Sequence, residues 1–332
     1  MLKLINDKHE RIEIDYEKTS KYAIKFEKLS KGKKISLMND NMFKTMFVNS
    51  KRVKYGAKLI SYFVESSFEE LLANIRLLNN EVDKENVYSK GQRCDYVAQI
   101  NDSIVNIEVN CNSTIEALLK SLTYGYKWFT KDIKVGSEYI FTQTIQINLN
   151  NFAFKESEEI IEVFYLQNDK GDLLTDKLTF INVSIPNLRE KWYNKPIEKM
   201  SEVERYILSL IETDVDSALE IGMGDSFMES SVKEQVEFCM TEDLREAYDH
   251  DLAWKEECKR QGLAEGRAEG IAEGIAEGRA EGRAEGLAEG IEEGRLEGKR
   301  EIINNMLSNN ISINDISSII NMSPKDIEKL LK

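Results

Sequence analysis

Lys90-Gly91-Gln92-Arg93-Cys94-Asp95-Tyr96-Val97-Ala98, followed after a short turn by Ile104-Val105-Asn106-Ile107-Glu108-Val109-Asn110, is the stretch that decides how this chain folds. Asn101-Asp102-Ser103 supplies the turn, so the pattern predicts a β-hairpin. On the second arm Val105, Ile107 and Val109 alternate with Asn106, Glu108 and Asn110, giving one apolar and one polar face. Each arm carries one carboxylate, Asp95 on the first and Glu108 on the second.

Two acids side by side on a rigid sheet can bind a divalent cation through oxygen. Mg²⁺ takes one or two protein carboxylates and leaves its other positions to water and phosphate. Such an ion can activate water against a phosphodiester. Taken without their neighbours, the same two acids read as ordinary solvent-facing charges.

Composition narrows the other options. A chain of 332 residues with 41% apolar content can build a real core and two domains of ordinary size. The opening residues lead into no long apolar run, so neither a signal peptide nor a transmembrane helix is expected. Cys94, Cys111, Cys239 and Cys258 form no metal-ligand spacing and read as reduced thiols of a cytoplasmic protein. Two histidines, His9 and His250, argue against a histidine zinc site or a serine-type triad. Chemistry then falls to carboxylates, lysines and hydroxyls.

Net charge is −14, which argues against a polyanion as partner until its distribution is read. Residues 1–60 hold 15 Lys and Arg against 7 Asp and Glu, a local balance of +8. A phosphate backbone senses that local field. A lysine-rich N-terminus that serves only solubility fits the same numbers.

Outward from the hairpin, Asn39 or Asp40 can cap a helix whose Met42, Phe43, Met46 and Phe47 have the spacing of a buried face. Residues 59–63 and 68–78 suggest further helix. Thr114 to Phe129 reads as a helix with Ile115, Leu118, Leu119, Leu122, Tyr126 and Phe129 near one stripe. Strands are expected at 139–148, 160–166 and 178–185. This order is an α/β or α+β pattern. Pro186 and Pro196 flank Trp192 and place a domain edge, beyond which residues 197–258 look helical and acidic.

From Gly262 to Gly298 a glycine recurs at every fourth position, mostly as Gly-x-Ala-Glu. Four residues turn a helix by about 400°, so each residue type drifts about 40° per repeat and no straight stripe persists. Glutamates repeat at i, i+4, and the usual ladder of opposite charges is largely missing. Two readings fit: a flexible tether, or a helix that pairs with a second copy, with the good helix formers Ala and Glu favouring the second. Ser312 and Ser323 each resemble a helix cap, with Pro324 at a first helical position. The two short helices they start resemble a helix-turn-helix, although the near-neutral tail favours a small docking hairpin.

Lys90-Gly91-x-Arg93-x-Asp95, the Ile107-Glu108-Val109-Asn110 strand, Asn39-Asp40-x-x-Phe43-Lys44-x-x-Phe47 and Gly136-Ser137-Glu138-Tyr139 occur in the order of a known family. Together they resemble the recombination-promoting nuclease/transposase family of the PD-(D/E)XK nuclease superfamily. The glycine-glutamate repeat with a short helical tail is similar too, so the likeness covers residues 38–150 and the layout of the C-terminus.

The resemblance implies an α/β restriction-endonuclease-like core and a Mg²⁺- or Mn²⁺-dependent DNA endonuclease that uses a metal-activated water. It implies Asp95 and Glu108 as metal ligands, Asp40 as the acid of the first helix, and the Val109 carbonyl as a further ligand. At Asn110 the superfamily usually has Lys and this family often Gln. Asn110 can hold water but cannot act as a base, which leaves a catalytically impaired, nucleic-acid-binding or assembly protein as the alternative. Lys44, Lys90 and Lys120 are the candidate cations. Arg93 can touch phosphate or pair with Glu108. An RNA substrate would use the same chemistry, and the setting implied is DNA recombination, mobile elements or defence.

The expected organisation is a nuclease-like domain over 1–185, a helical accessory region over 186–258, the repeat over 259–300 as oligomerisation segment or tether, and a small tail over 301–332. DNA and a second copy of the chain are the expected partners.

Overall fold

A computed structural model of the chain describes residues 12–79, 81–82, 92–111, 114–133 and 138–331. It divides into two compact units, 1–253 and 254–332.

In the first unit, β1 (Ile14–Asp15) leads into α1 (Tyr16–Tyr22). Then come α2 (Asp40–Phe47), α3 (Val53–Ser61) and α4 (Phe68–Asn74). The strands β2 (Ile75–Leu77), β3 (Glu81–Val82), β4 (Gln92–Arg93), β5 (Tyr96–Ile100) and β6 (Ser103–Asn110) follow. Helix α5 (Ile115–Phe129) crosses to β7 (Gln143–Asn150), and β8 (Ala153–Phe154), β9 (Ile161–Tyr165) and β10 (Leu178–Ser184) complete the strands. Helices α6 (Ile185–Asn194), α7 (Glu202–Ile211), α8 (Val215–Gly222) and α9 (Ser226–Cys239) close the unit.

Six strands form one mixed sheet in the order β2-β5-β6-β7-β10-β9. The hairpin pairs β5 with β6 antiparallel, and β6, β7 and β10 then run parallel. The expected turn is present, with Asn101 at φ +51°, a left-handed conformation that asparagine tolerates. Residues 75–78, expected as helix, instead leave α4 and supply the edge strand β2. Ile75 and Leu77 pack on the main core once they pair with β5, and this tertiary gain overrides local helix propensity.

Asn39 caps α2, its Oδ1 accepting from the N–H groups of Asn41 and Met42. Met42, Phe43, Met46 and Phe47 are all fully buried, with Phe43 and Phe47 stacked at 4.8 Å. They pack with Tyr96, Val105, Ile107, Ile147 and Val183 from one face of the sheet. Helices α7 and α9 enter the same core through Tyr206, Ile207, Leu210 and Met228. Burying each such side chain is worth roughly 1.5–3 kcal/mol.

The opposite face departs from expectation. It is polar, yet it is covered by α5 rather than by water. Asn106, Glu108, Asn110, Gln146, Asn148, Asn150 and Asn182 are all buried. Gly125 lets α5 approach Phe180 and Gln146 of the sheet. Consequently only part of the apolar stripe foreseen on α5 makes contact: Phe129 is buried and Leu118 packs beside Phe152 and Phe154, but Leu119, Leu122 and Tyr126 are exposed, whereas Ser121, Tyr124 and Gly125 are buried.

In the second unit the repeat lies within α10 (Glu242–Ser308). A Cβ added at any glycine from Gly262 to Gly298 would meet nothing within 4 Å. Beyond it, α11 (Ile313–Ile320) and α12 (Pro324–Leu330) begin at the foreseen caps, Ser312 and Ser323. Ile303, Ile316 and Ile327 form a small core of their own.

Candidate active site

Asp95 lies in the break between β4 and β5, facing Glu108 on β6. Each acid accepts a backbone N–H from the opposite arm. The Asp95 N–H donates to Glu108 Oε1 at 3.0 Å, and the Val109 N–H donates to Asp95 Oδ2 at 2.8 Å. These crossed bonds replace ladder bonds where the regular pairing of β5 with β6 ends at Tyr96 and Ile107.

Burial is the main force on both acids. It raises the Asp95 pKa above its ordinary value, with Lys120 and the Val109 N–H working the other way. Burial also raises Glu108, and the neighbouring Asp95 charge adds to it. The Glu108 side chain is fully buried, and Lys120 Nζ stands 2.8 Å from its Oε2. For Lys120, burial alone would lower the pKa; Glu108 and Asp95 outweigh it and hold the ammonium charged. Among the described residues the site is thus a carboxylate pair with the Lys120 ammonium against Glu108.

The other foreseen residues divide. Asp40 opens α2, and its charge reaches Asp95 strongly enough to raise that pKa. It is itself exposed and ion-paired at 2.5 Å to Lys44, one turn on. Lys44 is therefore a rim charge, close enough to lower the Asp95 pKa. Arg93 does not pair with Glu108, whose partner is Lys120; the Arg93 side chain is exposed. Lys90 and Gly91, like Gly136 and Ser137, lie outside the described residues.

Asn110 is buried, and its Nδ2 donates to Asn150 Oδ1 at 2.9 Å. Beside it other amides stitch the parallel strands, Asn106 to Gln146 at 2.7 Å and Asn148 to Asn182 at 2.7 Å, with Gln146 joined to Asn148 along β7 at 2.9 Å. Sequence reasoning missed these partners. Their signal is the alternation of Gln146, Asn148 and Asn150, which becomes meaningful once β7 is placed beside β6 in register. It also gave Tyr124 no role. The Tyr124 hydroxyl donates to the Arg93 carbonyl at 3.3 Å, under the Lys120 side chain.

The donor set suits a hard cation. Among the described residues it offers two buried carboxylates and the nearby Val109 backbone, with no imidazole. Among the described residues no three His, Cys, Asp or Glu side chains converge as metal ligands. That fits Mg²⁺ or Mn²⁺, which need only one or two carboxylates when water and phosphate fill the rest. It does not fit a structural zinc site. No described helix is long and apolar enough to cross a membrane.

No curated protein and no solved structure gives a match to the chain. A family model described as PD-(D/E)XK nuclease family transposase matches residues 37–260, a span that begins just before α2 and includes the whole hairpin, α5 and the sheet. With the mixed sheet and the paired acids of its hairpin, the chain belongs to the PD-(D/E)XK nuclease family transposases.

Proposed function

We propose that the chain is a divalent-metal-dependent endonuclease that hydrolyses DNA phosphodiesters with water and forms no covalent enzyme intermediate. The observation that carries this reading is the buried Asp95–Glu108 pair with Lys120 Nζ 2.8 Å from Glu108. Asp95, Glu108 and the Val109 carbonyl would hold Mg²⁺ or Mn²⁺. When bound, the ion would lower the pKa of a coordinated water and offset charge on the scissile phosphate. Lys120 supplies the fixed positive charge that Asn110 cannot, from the helix rather than from the strand. A lysine whose side chain is 40% exposed can balance the acids and still reach a phosphate oxygen. Lys44, Arg93 and Lys90 are proposed as backbone contacts, and Asp40 as the outer acid of the site.

One observation favours a second reading. The Asn110 amide nitrogen donates to Asn150 and both side chains are buried, which gives Asn110 a structural task in place of a lysine's charge. In that reading the nuclease fold persists as a nucleic-acid-binding or assembly module, and α10 pairs copies of the chain. Light scattering on protein ending at Lys259 tests the pairing, since an unchanged oligomeric state would rule it out.

The deciding experiment is supercoiled-plasmid cleavage with Mg²⁺, with Mn²⁺ and with EDTA, beside Asp95→Asn and Glu108→Gln. These substitutions keep an acceptor oxygen for the crossed backbone bonds while removing charge. Metal-dependent nicking that both variants abolish is expected. Intact plasmid throughout, with calorimetry silent to both metals, would turn the assignment to the binding module.

A further inference from the structure

We propose that Tyr124 is the positioning residue of this site: its ring carries the Lys120 ammonium, and its hydroxyl ties α5 to the strand that leads into Asp95. The proposal rests on the reading of Lys120 as the cation of the site.

A lysine on an exposed helix edge has a long, freely rotating stem, and the Lys120 side chain is 40% exposed. Something must select the rotamer that reaches a fully buried carboxylate. Tyr124 lies one turn further along α5, so its side chain shares a face with that of Lys120. The Lys120 Nζ stands 5.2 Å from the Tyr124 ring centroid, within reach of the negative face of the ring. The ammonium is thus held between the Tyr124 ring and Glu108 Oε2.

The ring is itself fixed at both ends. Tyr124 is only 5% exposed and packs with Cys94, the neighbour of Asp95, and with Val97 of β5 and Ile104 of β6. Its hydroxyl donates to the carbonyl of Arg93, two residues before Asp95. That carbonyl lies just before the break where pairing passes from β4 to β5. One side chain therefore links the helix that carries the cation to the strand end that carries an acid. Phenylalanine would keep the ring but lose the tie; leucine would lose both.

Two measurements on the full-length protein test this. In the first, metal-free protein with ¹³C-dimethylated lysines is studied by NMR. A methyl resonance moved by the Tyr124 ring current, and absent in Lys120→Arg, is expected. It should persist in Tyr124→Phe and vanish in Tyr124→Leu. No such resonance in the wild type would overturn the placement of Lys120 on the ring, whatever the nuclease reading. In the second, plasmid cleavage is measured with kcat and KM separated. Tyr124→Leu should lower kcat about tenfold or more with KM unchanged, Tyr124→Phe should recover part of the loss, and Tyr124→Leu should cost nothing further in a Lys120→Ala background. An equal loss in that background would make Tyr124 a packing residue and sink the proposal. Wild-type kcat in Lys120→Ala would instead remove the reading of Lys120, leaving Tyr124 no cation to position in the reaction.

Discussion

A Cβ placed on Gly125 would stand 2.7 Å from Cε1 of Phe180, closer than packed carbon atoms approach. Glycine at this point lets α5 lie close against the polar face of the sheet. Gly125→Ala must move either the ring or the helix that carries Lys120. A stability loss of about 1–3 kcal/mol is expected from the overpacking, and urea denaturation measures it. Gly278→Ala is the control: nothing lies within 4 Å of its Cβ, so it should not destabilise the chain and should raise helix content in circular dichroism.

Removing the cation should separate charge balance from folding. Lys120→Ala leaves Glu108 buried without its nearest opposite charge, which raises the Glu108 pKa further. A carboxylate raised in the folded state takes up protons that the unfolded chain releases, so its stability contribution falls as pH rises. Wild-type Glu108 ionises only at about pH 7, so the stability deficit of Lys120→Ala should open there and grow at higher pH, while metal-dependent cleavage falls on the order of 10²-fold. Denaturation curves at several pH values, beside plasmid cleavage, check both halves.

Asn110 should matter to the fold more than to the chemistry. Asn110→Ala removes the donor to Asn150 Oδ1, in a residue only 1% exposed. An unsatisfied buried amide costs about 1–3 kcal/mol. With the positive charge supplied by Lys120, cleavage at saturating Mg²⁺ should stay within a few-fold of wild type. A collapse of kcat with unchanged stability would return Asn110 to the chemistry.

A second lysine offers a pH signature of its own. Lys34 is fully buried, and its Nζ donates to the Leu210 carbonyl at 3.0 Å and to Gln235 Oε1 at 2.9 Å. Two acceptors match the two N–H groups of a neutral amine. Burial lowers its pKa to about 7, against opposing effects from Cys239 and Glu212. Between about pH 7 and its unfolded value near 10.5 the unfolded chain binds a proton that the folded chain does not. Stability should accordingly rise with pH across that window, by at most about 1.4 kcal/mol per unit. Lys34→Met should flatten the slope, as urea titrations at pH 7, 8 and 9 would reveal.

Much of the hairpin and its caps could be read in the sequence because the forces there are local. The alternation of Val105, Ile107 and Val109, the turn at Asn101 and the cap at Asn39 each act over a few residues. Long-range pairing was not readable. The period on α5 is real, but it marks Leu119, Leu122 and Tyr126, which are exposed, because the sheet beneath α5 is a layer of amides. That layer exists only once β6, β7 and β10 lie in register, with Asn106 opposite Gln146 and Asn148 opposite Asn182. Lys120 was one of three candidate cations for the same reason. Its pairing with Glu108 depends on how far α5 sinks toward the sheet, and Gly125 sets that depth.

The crossed bonds between Asp95 and the Glu108–Val109 segment bear on how such sequences are interpreted. Both acids close the open end of the hairpin, so the fold needs their oxygens even where no phosphodiester is cut. Selection for folding alone would keep an acceptor oxygen at each position, which Asn or Gln supplies as well as the acid does. An oxygen retained at these two positions is therefore a mark of the hairpin's closure before it is a mark of cleavage.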